Sequence, residues 1–171
     1  MQPLDGVFLS KIEPDRECWH EAGHAVTGYH LGIPVQAIGY QWPSGEHVEP
    51  NPCSWCDTAG ADKEKLAIQL FGGMAAETLK LQVHDYLAKG LDMKMFKELE
   101  CELSWEHYLE QAMNILTEHD AALRRVQNAL MERRASPPTE RFKDTDDVWR
   151  QIHLTQEELE ALMSSPGPQG N

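Results

Sequence analysis

The chain has 171 residues, of which 28 are acidic and 15 are basic, so its formal net charge is −13 at pH 7. A chain this negative repels phosphate backbones and anionic headgroups, which argues against nucleic-acid binding and polybasic membrane contacts. Hydrophobic residues make up 41% of the sequence, a value typical of a globular protein. The length corresponds to one ordinary domain. We predict a single domain over residues 1–163 and a flexible C-terminal tail over 164–171.

The N-terminal residues carry no basic stretch followed by an apolar run, so the sequence predicts no signal peptide. The longest stretch without a formal charge, residues 22–45, contains two His and two Pro and is not a membrane span. We therefore expect a cytoplasmic protein that does not contact membranes.

The first half of the chain predicts one helix, one strand and one loop. The helix should begin near residues 13–15 and run to Leu31, ahead of Gly32-Ile33-Pro34. Residues 35–40 form a β-branched and aromatic run that predicts a short strand. Residues 42–60 contain several Pro and Gly and indicate a long loop.

The second half predicts three further helices. The first covers 61–82 and the second is a single long helix from about residue 90 to Ser136. The last covers 155–163 and opens with Thr155-Gln156-Glu157-Glu158, a capping box. The predicted fold class is therefore mainly α, with an HExxH helix, a long C-terminal helix and at most a small β element.

His20-Glu21-Ala22-Gly23-His24 is an HExxH motif inside the first predicted helix. Spacing i, i+4 places both imidazoles on one helical face, as two nitrogen ligands of a tetrahedral zinc ion require. Glu21 lies at a different azimuth, where it can take a proton from a metal-activated water molecule. We predict a Zn²⁺ cofactor held by His20 and His24, with Glu21 as catalytic base.

A catalytic zinc site needs a third protein ligand, and the sequence offers four acidic or histidine candidates before the long helix. They are Glu77, His84, Asp85 and Asp92. Periodicity alone does not choose among them.

Three sequence blocks together resemble the peptidase domain of the FtsH family of membrane-anchored, ATP-dependent zinc proteases. They are residues 20–26 (HEAGHAV), residues 71–77 (FGGMAAE) and residues 90–93 (GLDM), in the order and at separations similar to those of the family. The resemblance covers about residues 13–135. It implies a helical zincin-like metallopeptidase domain.

The resemblance assigns roles residue by residue. It implies that His20, His24 and Asp92 are the zinc ligands and Glu21 the base. Glu77 would lie behind a ligand, or replace Asp92 on the metal. No phosphate-binding loop occurs, so we expect no ATP hydrolysis by this chain, with a separate ATPase or homo-oligomer as candidate partners.

Cys53-Ser54-Trp55-Cys56 is a CxxC pair within the predicted loop. Such a pair is compatible with a purely structural role, with half of a second metal site, or with a disulfide. His47, Cys18 and Cys101 are the remaining soft ligands for a second site.

The sequence therefore predicts a zinc-dependent endopeptidase that cleaves peptides or unfolded protein segments. The alternative is a zinc-containing binding or regulatory module with the same fold and no catalysis. Retention of Glu21 favours the enzyme, because holding a metal needs no base at that position.

Overall fold

The computed structural model of the protein describes residues 9–42, 51–82, 89–138, 140–144 and 146–166. Within these ranges the chain forms seven helices and four strands. They are α1 (Leu9–His30), β1 (Val35–Trp42), β2 (Asn51–Cys56), α2 (Lys63–Leu70), α3 (Gly72–Leu81), α4 (Lys89–Glu98), α5 (Trp105–Glu118), α6 (Asp120–Ala135), β3 (Phe142–Lys143), β4 (Trp149–Thr155) and α7 (Gln156–Ser164). The predicted mainly α class with a small β element is confirmed.

Helix α1 runs through the centre of the domain. Small residues on it, among them Ala22 and Ala25, are fully buried, which allows α3 to pack closely on one side and α6 on another. The core continues into α5 and α6 through Leu116, Leu123 and Val126, all of which are shielded from solvent. In the described part of the chain, no helix combines the length and apolarity needed to cross a membrane.

The four strands form one antiparallel sheet in the order β2-β1-β4-β3, so β2 is an edge strand. Ser54 of β2 pairs with Ile38 of β1, which pairs in turn with Leu154 of β4. Because directly paired residues share a face, these three side chains point towards the helices. Ile38 and Leu154 are buried there, and Ser54 reaches α1.

The prediction of a single long C-terminal helix is wrong, because this part of the chain forms three helices, α4, α5 and α6. Glu100 adopts a left-handed conformation (φ 51°) just after α4, and His119 leaves helical geometry between α5 and α6. The apolar spacing continues across both breaks since all three helices face the same core. The periodicity of the apolar residues therefore indicates the buried face of each helix but does not detect the turns between the helices.

Other elements also differ from the prediction. The helix expected over 61–82 is interrupted at Phe71, which separates α2 from α3. The loop expected over 42–60 contains β2, and β3 and β4 were not predicted. Pro52 lies in β2, and an edge strand is where a sheet tolerates a proline.

The capping box of the last helix is confirmed. The Thr155 hydroxyl accepts a hydrogen bond from the Glu158 backbone N–H at 3.3 Å, and the Glu158 carboxylate accepts one from the Thr155 N–H at 2.9 Å. Local sequence chemistry was enough to place this helix start.

Candidate metal centre

His20 and His24 lie one turn apart on α1 and their rings meet edge to face, with centroids 4.6 Å apart. Their Nε2 atoms are separated by 2.9 Å. The i, i+4 spacing therefore places both imidazoles as the sequence predicted. Two N–H groups cannot face each other at this distance because both are donors, so at most one of the two Nε2 atoms carries a proton.

Asp92 brings a carboxylate to the same point from the first turn of α4. Its Oδ2 lies 3.3 Å from His20 Nε2 and 3.4 Å from His24 Nε2. Ligands about 2.0–2.1 Å from a tetrahedral zinc ion are about 3.3–3.4 Å from one another. The two distances from Asp92 Oδ2 match this separation, and the distance of 2.9 Å between the two Nε2 atoms is shorter. Together the three atoms could hold a metal ion.

One oxygen of the Asp92 carboxylate lacks a hydrogen-bond donor in the described part of the chain. Oδ2 is shielded from solvent and has no hydrogen-bond donor among the described residues. A buried anionic oxygen without a donor is costly unless a cation compensates it. The donor set therefore fits a metal ion coordinated by this oxygen and the two imidazole nitrogens.

The outer nitrogen of each histidine is fixed by a neighbouring acceptor. His20 Nδ1 lies 2.6 Å from Glu77 Oε1, and His24 Nδ1 lies 3.0 Å from the backbone oxygen of Gln69. With their Nδ1 protons donated outward, both rings turn Nε2 towards Asp92. This is the arrangement in which metal-binding histidines are usually held.

Glu77 lies at the outer nitrogen of His20. Its side chain is almost fully buried, and its Oε2 accepts from Arg16 Nε at 2.5 Å. Each carboxylate oxygen thus has its own partner. Neither of the other two sequence candidates for the third ligand, His84 and Asp85, lies within the described residues.

The electrostatics of the cluster favour a bound cation. Burial alone lowers the pKa of His20, but the carboxylates of Asp92 and Glu77 overcome this and raise it to about 10. Burial is the largest single effect on His24 and lowers its pKa, but Asp92 and the charge of Glu21 together outweigh burial and raise it. Burial works against ionised Asp92, yet His24 and His20 hold the pKa of Asp92 below its ordinary range.

Two glycines allow α3 to approach the cluster. A Cβ on Gly73 would lie 2.5–2.6 Å from three atoms of the His20 ring, and a Cβ on Gly72 would lie 2.6 Å from the backbone oxygen of Gly23. Real Cβ atoms do not come so close to other heavy atoms. Gly72 therefore makes room for the backbone of α1, and Gly73 makes room for the His20 ring.

Glu21 occupies a different position from the three clustered residues. Its side chain is buried, and its Oε2 accepts a hydrogen bond of 2.6 Å from the Ser54 hydroxyl. The same hydroxyl lies 3.2 Å from the Glu21 backbone oxygen. The carboxylate of Glu21 is thus held against strand β2, beside the histidines.

A cleft of 810 Å³ contains the cluster and Glu21. Edge strand β2 forms one of its walls, and Leu91 and Met95 of α4 contribute to another. These two apolar side chains are 63% and 43% exposed, which is unusual for their type and makes part of the cleft apolar. The cleft is large enough to take a peptide segment.

The CxxC pair lies on β2 in the wall of this cleft. All four cysteines fall within the described residues and are unbridged. Three residues along a strand separate Cys53 and Cys56 by about 10 Å, too far for a disulfide while β2 is formed. Burial raises the pKa of each thiol to about 12. No group of three metal ligands among the described residues includes either cysteine.

Sequence reasoning missed two hydrogen-bond partners in the site, one of His24 and one of Glu21. The Gln69 carbonyl is a backbone group and leaves no sequence signal. Ser54 was missed because its segment, which contains Pro52, was interpreted as a loop, and its contact with Glu21 is a tertiary one.

A comparison with models of known protein families gave no match, and a search of curated proteins gave none of significance. The resemblance to FtsH-type peptidases therefore stays a prediction carried by the motif residues themselves.

Proposed function

We propose that the protein is a zinc-dependent endopeptidase. The observation that carries this proposal is the convergence of His20 Nε2, His24 Nε2 and Asp92 Oδ2 beside Glu21 in an open cleft. The resemblance to the FtsH family, with a zincin-like fold, leads to the same assignment.

The donor set favours zinc over the hard cations. Two imidazole nitrogens and one carboxylate oxygen suit Zn²⁺, whereas Ca²⁺ and Mg²⁺ take mainly oxygen ligands. Three protein ligands also leave a fourth position for water or substrate, as in catalytic sites. A structural zinc site would use four protein ligands.

When bound, Zn²⁺ would polarise a peptide carbonyl and lower the pKa of a water molecule. Glu21 accepts the proton of the attacking water and returns it to the leaving amine. Its buried carboxylate is fixed in the cleft by Ser54 and does not compete for the metal. With a metal bound, His20 and His24 would direct their deprotonated Nε2 atoms at it, because Glu77 and Gln69 hold the opposite nitrogens.

The substrate in this proposal is an extended peptide or an unfolded protein segment. Strand β2 pairs with β1 and, among the described strands, has no partner on its other edge. Such an edge offers backbone donors and acceptors to an extended chain. The apolar side chains of Leu91 and Met95 face the same cleft. Stably folded substrates would need a separate ATPase, or assembly of several copies with one.

The alternative, a zinc-containing regulatory module without catalysis, has the same metal ligands. It gives no reason for a buried carboxylate at Glu21, fixed next to the cluster and lining the cleft. A module that only holds a metal needs Glu77 and Gln69 behind the histidines but no base.

Zinc content and cleavage of a peptide library test the proposal in one experiment. Wild type and Glu21→Gln, both reconstituted with zinc, should each hold about one ion per chain. Glu21→Gln should lose about 10²–10⁴-fold in activity, because the general base is removed while the ligands remain. His24→Ala is the control that should lose zinc as well.

Zinc-loaded wild type that cleaves no peptide would support the regulatory alternative. Equal activity of wild type and Glu21→Gln would contradict the assigned base. A protein that holds no stoichiometric zinc after reconstitution would refute the metal centre itself.

A further inference from the structure

Ser54 lies at the centre of edge strand β2 and connects this strand to the proposed base. Its Oγ is 2.6 Å from Glu21 Oε2 and 3.2 Å from the Glu21 backbone oxygen. A serine hydroxyl has one proton, and the charged, closer oxygen is the stronger acceptor. The hydroxyl therefore donates to the carboxylate.

This hydrogen bond fixes the orientation of the base. A glutamate side chain has three rotatable bonds, and a buried carboxylate that is held through one oxygen cannot turn freely. With Oε2 bound to Ser54, the carboxylate keeps one orientation in the cleft, where it can accept a proton from water. A displacement of about 1 Å at a reacting group can reduce a rate about 10²-fold.

The position of Ser54 in the sheet explains how it can hold the base. Its neighbour across the ladder, Ile38, is buried and packed against the helices, so this part of β2 has a rigid support. The same strand forms a wall of the cleft. Ser54 thereby sets the distance between Glu21 and the wall along which the proposed substrate lies.

We propose that Ser54 is a positioning residue for the Glu21 carboxylate in the peptidase reaction. The proposal rests on the proposed function. Ser54 does not contact the metal ligands in any hydrogen bond of the described residues, so its effect should be confined to the base.

The activity test compares Ser54→Ala, which removes the donor, with Ser54→Thr, which restores a hydroxyl on a side chain that suits a strand. With zinc bound, Ser54→Ala should lower kcat about 10–100-fold with KM within about twofold of wild type. Ser54→Thr should recover most of the loss. The control is Ser104→Ala, an exposed serine whose side chain makes no capping bond to its helix, and it should match wild type.

Two further measurements do not depend on activity. Zinc affinity, measured by competition with a chelator, should stay within about twofold in Ser54→Ala, in contrast to the 10–100-fold loss typical of a partner that orients a ligand. In zinc-free protein, a double-mutant cycle of Ser54→Ala and Glu21→Ala should give a coupling of about tenfold in the unfolding equilibrium constant.

The outcomes separate this inference from the proposed function. An active wild type with unchanged kcat in Ser54→Ala overturns the positioning role alone, even where the cycle shows coupling, because the hydrogen bond is then only structural. Absence of coupling also overturns it. An inactive zinc-loaded wild type refutes the proposed function and removes the catalytic role of Ser54 with it.

Discussion

Replacing Gly73 with alanine would place a methyl group on the face of the His20 ring. The new Cβ would lie 2.5 Å from Cε1 and 2.6 Å from both ring nitrogens. Carbon atoms in ordinary contact are about 3.5–4.0 Å apart, so ring or helix must move by about 1 Å. The ring is not free to turn, since Glu77 holds its Nδ1 at 2.6 Å.

The expected cost follows from this overlap. Overpacking a buried site typically destabilises a protein by about 1–3 kcal/mol, and alanine in a helix recovers about 1 kcal/mol relative to glycine. The free energy of unfolding of the zinc-free protein should therefore fall by up to about 2 kcal/mol. Zinc affinity should fall about 10–100-fold, as it does when a ligand loses the partner that orients it.

Gly28→Ala on α1 is the matched control. A Cβ on Gly28 would have its nearest neighbours at 3.4 Å, which is ordinary contact. This variant should bind zinc like wild type and should unfold at equal or higher denaturant concentration. The assays are denaturant unfolding of zinc-free protein and chelator competition. Wild-type zinc affinity in Gly73→Ala would show that His20 does not bind the metal or that α3 does not pack on its ring.

Two other predictions concern single titratable groups. Asp92→Asn should weaken zinc binding more than Glu77→Gln does, because in the proposed site Asp92 supplies a ligand atom and Glu77 orients His20. The reverse order in a chelator titration would exchange their roles. His30 stacks on His119 with ring centroids 3.4 Å apart, and burial together with the His119 charge lowers its pKa. Below about pH 6.5 the unfolded chain then binds more protons at His30 than the folded one, so stability falls as the pH drops. His30→Phe, which keeps the stack, should reduce this loss between pH 7 and pH 5 in urea unfolding of zinc-free protein, and equal pH profiles would contradict the reasoning.

The elements that sequence predicted well are those whose causes are local. The helix around His20 and His24 and the cap at Thr155 both depend on residues within one or two turns. The break at Glu100 gives no such signal, because its left-handed conformation falls on a glutamate and not on Gly or Asn, the residues that usually adopt it at a helix end. Apolar spacing of three and four residues is the same on both sides of the turn, so periodicity alone could not detect it.

Strands β2 and β4 could not be predicted because their causes are not local. Strand β4 pairs with β1 from more than a hundred residues away, and this non-local pairing, together with burial of Leu154, stabilises it. Strand β2 contains Pro52, which normally indicates a loop. A proline is acceptable there because β2 is an edge strand, and that is a property of the sheet rather than of the segment.

The choice between Asp92 and Glu77 as third ligand illustrates why the site could be predicted only in part. Both carboxylates contact the His20 ring, so proximity does not separate them. They approach different nitrogens, Glu77 at Nδ1 and Asp92 at Nε2, and these two nitrogens point away from each other. Only Nε2 faces His24, at 2.9 Å. A metal shared by the two histidines must lie at the Nε2 side, where Asp92 can reach it and Glu77 cannot. That distinction depends on the nitrogen at which each carboxylate arrives, Glu77 from α3 and Asp92 from α4, and spacing along the chain does not encode these tertiary contacts.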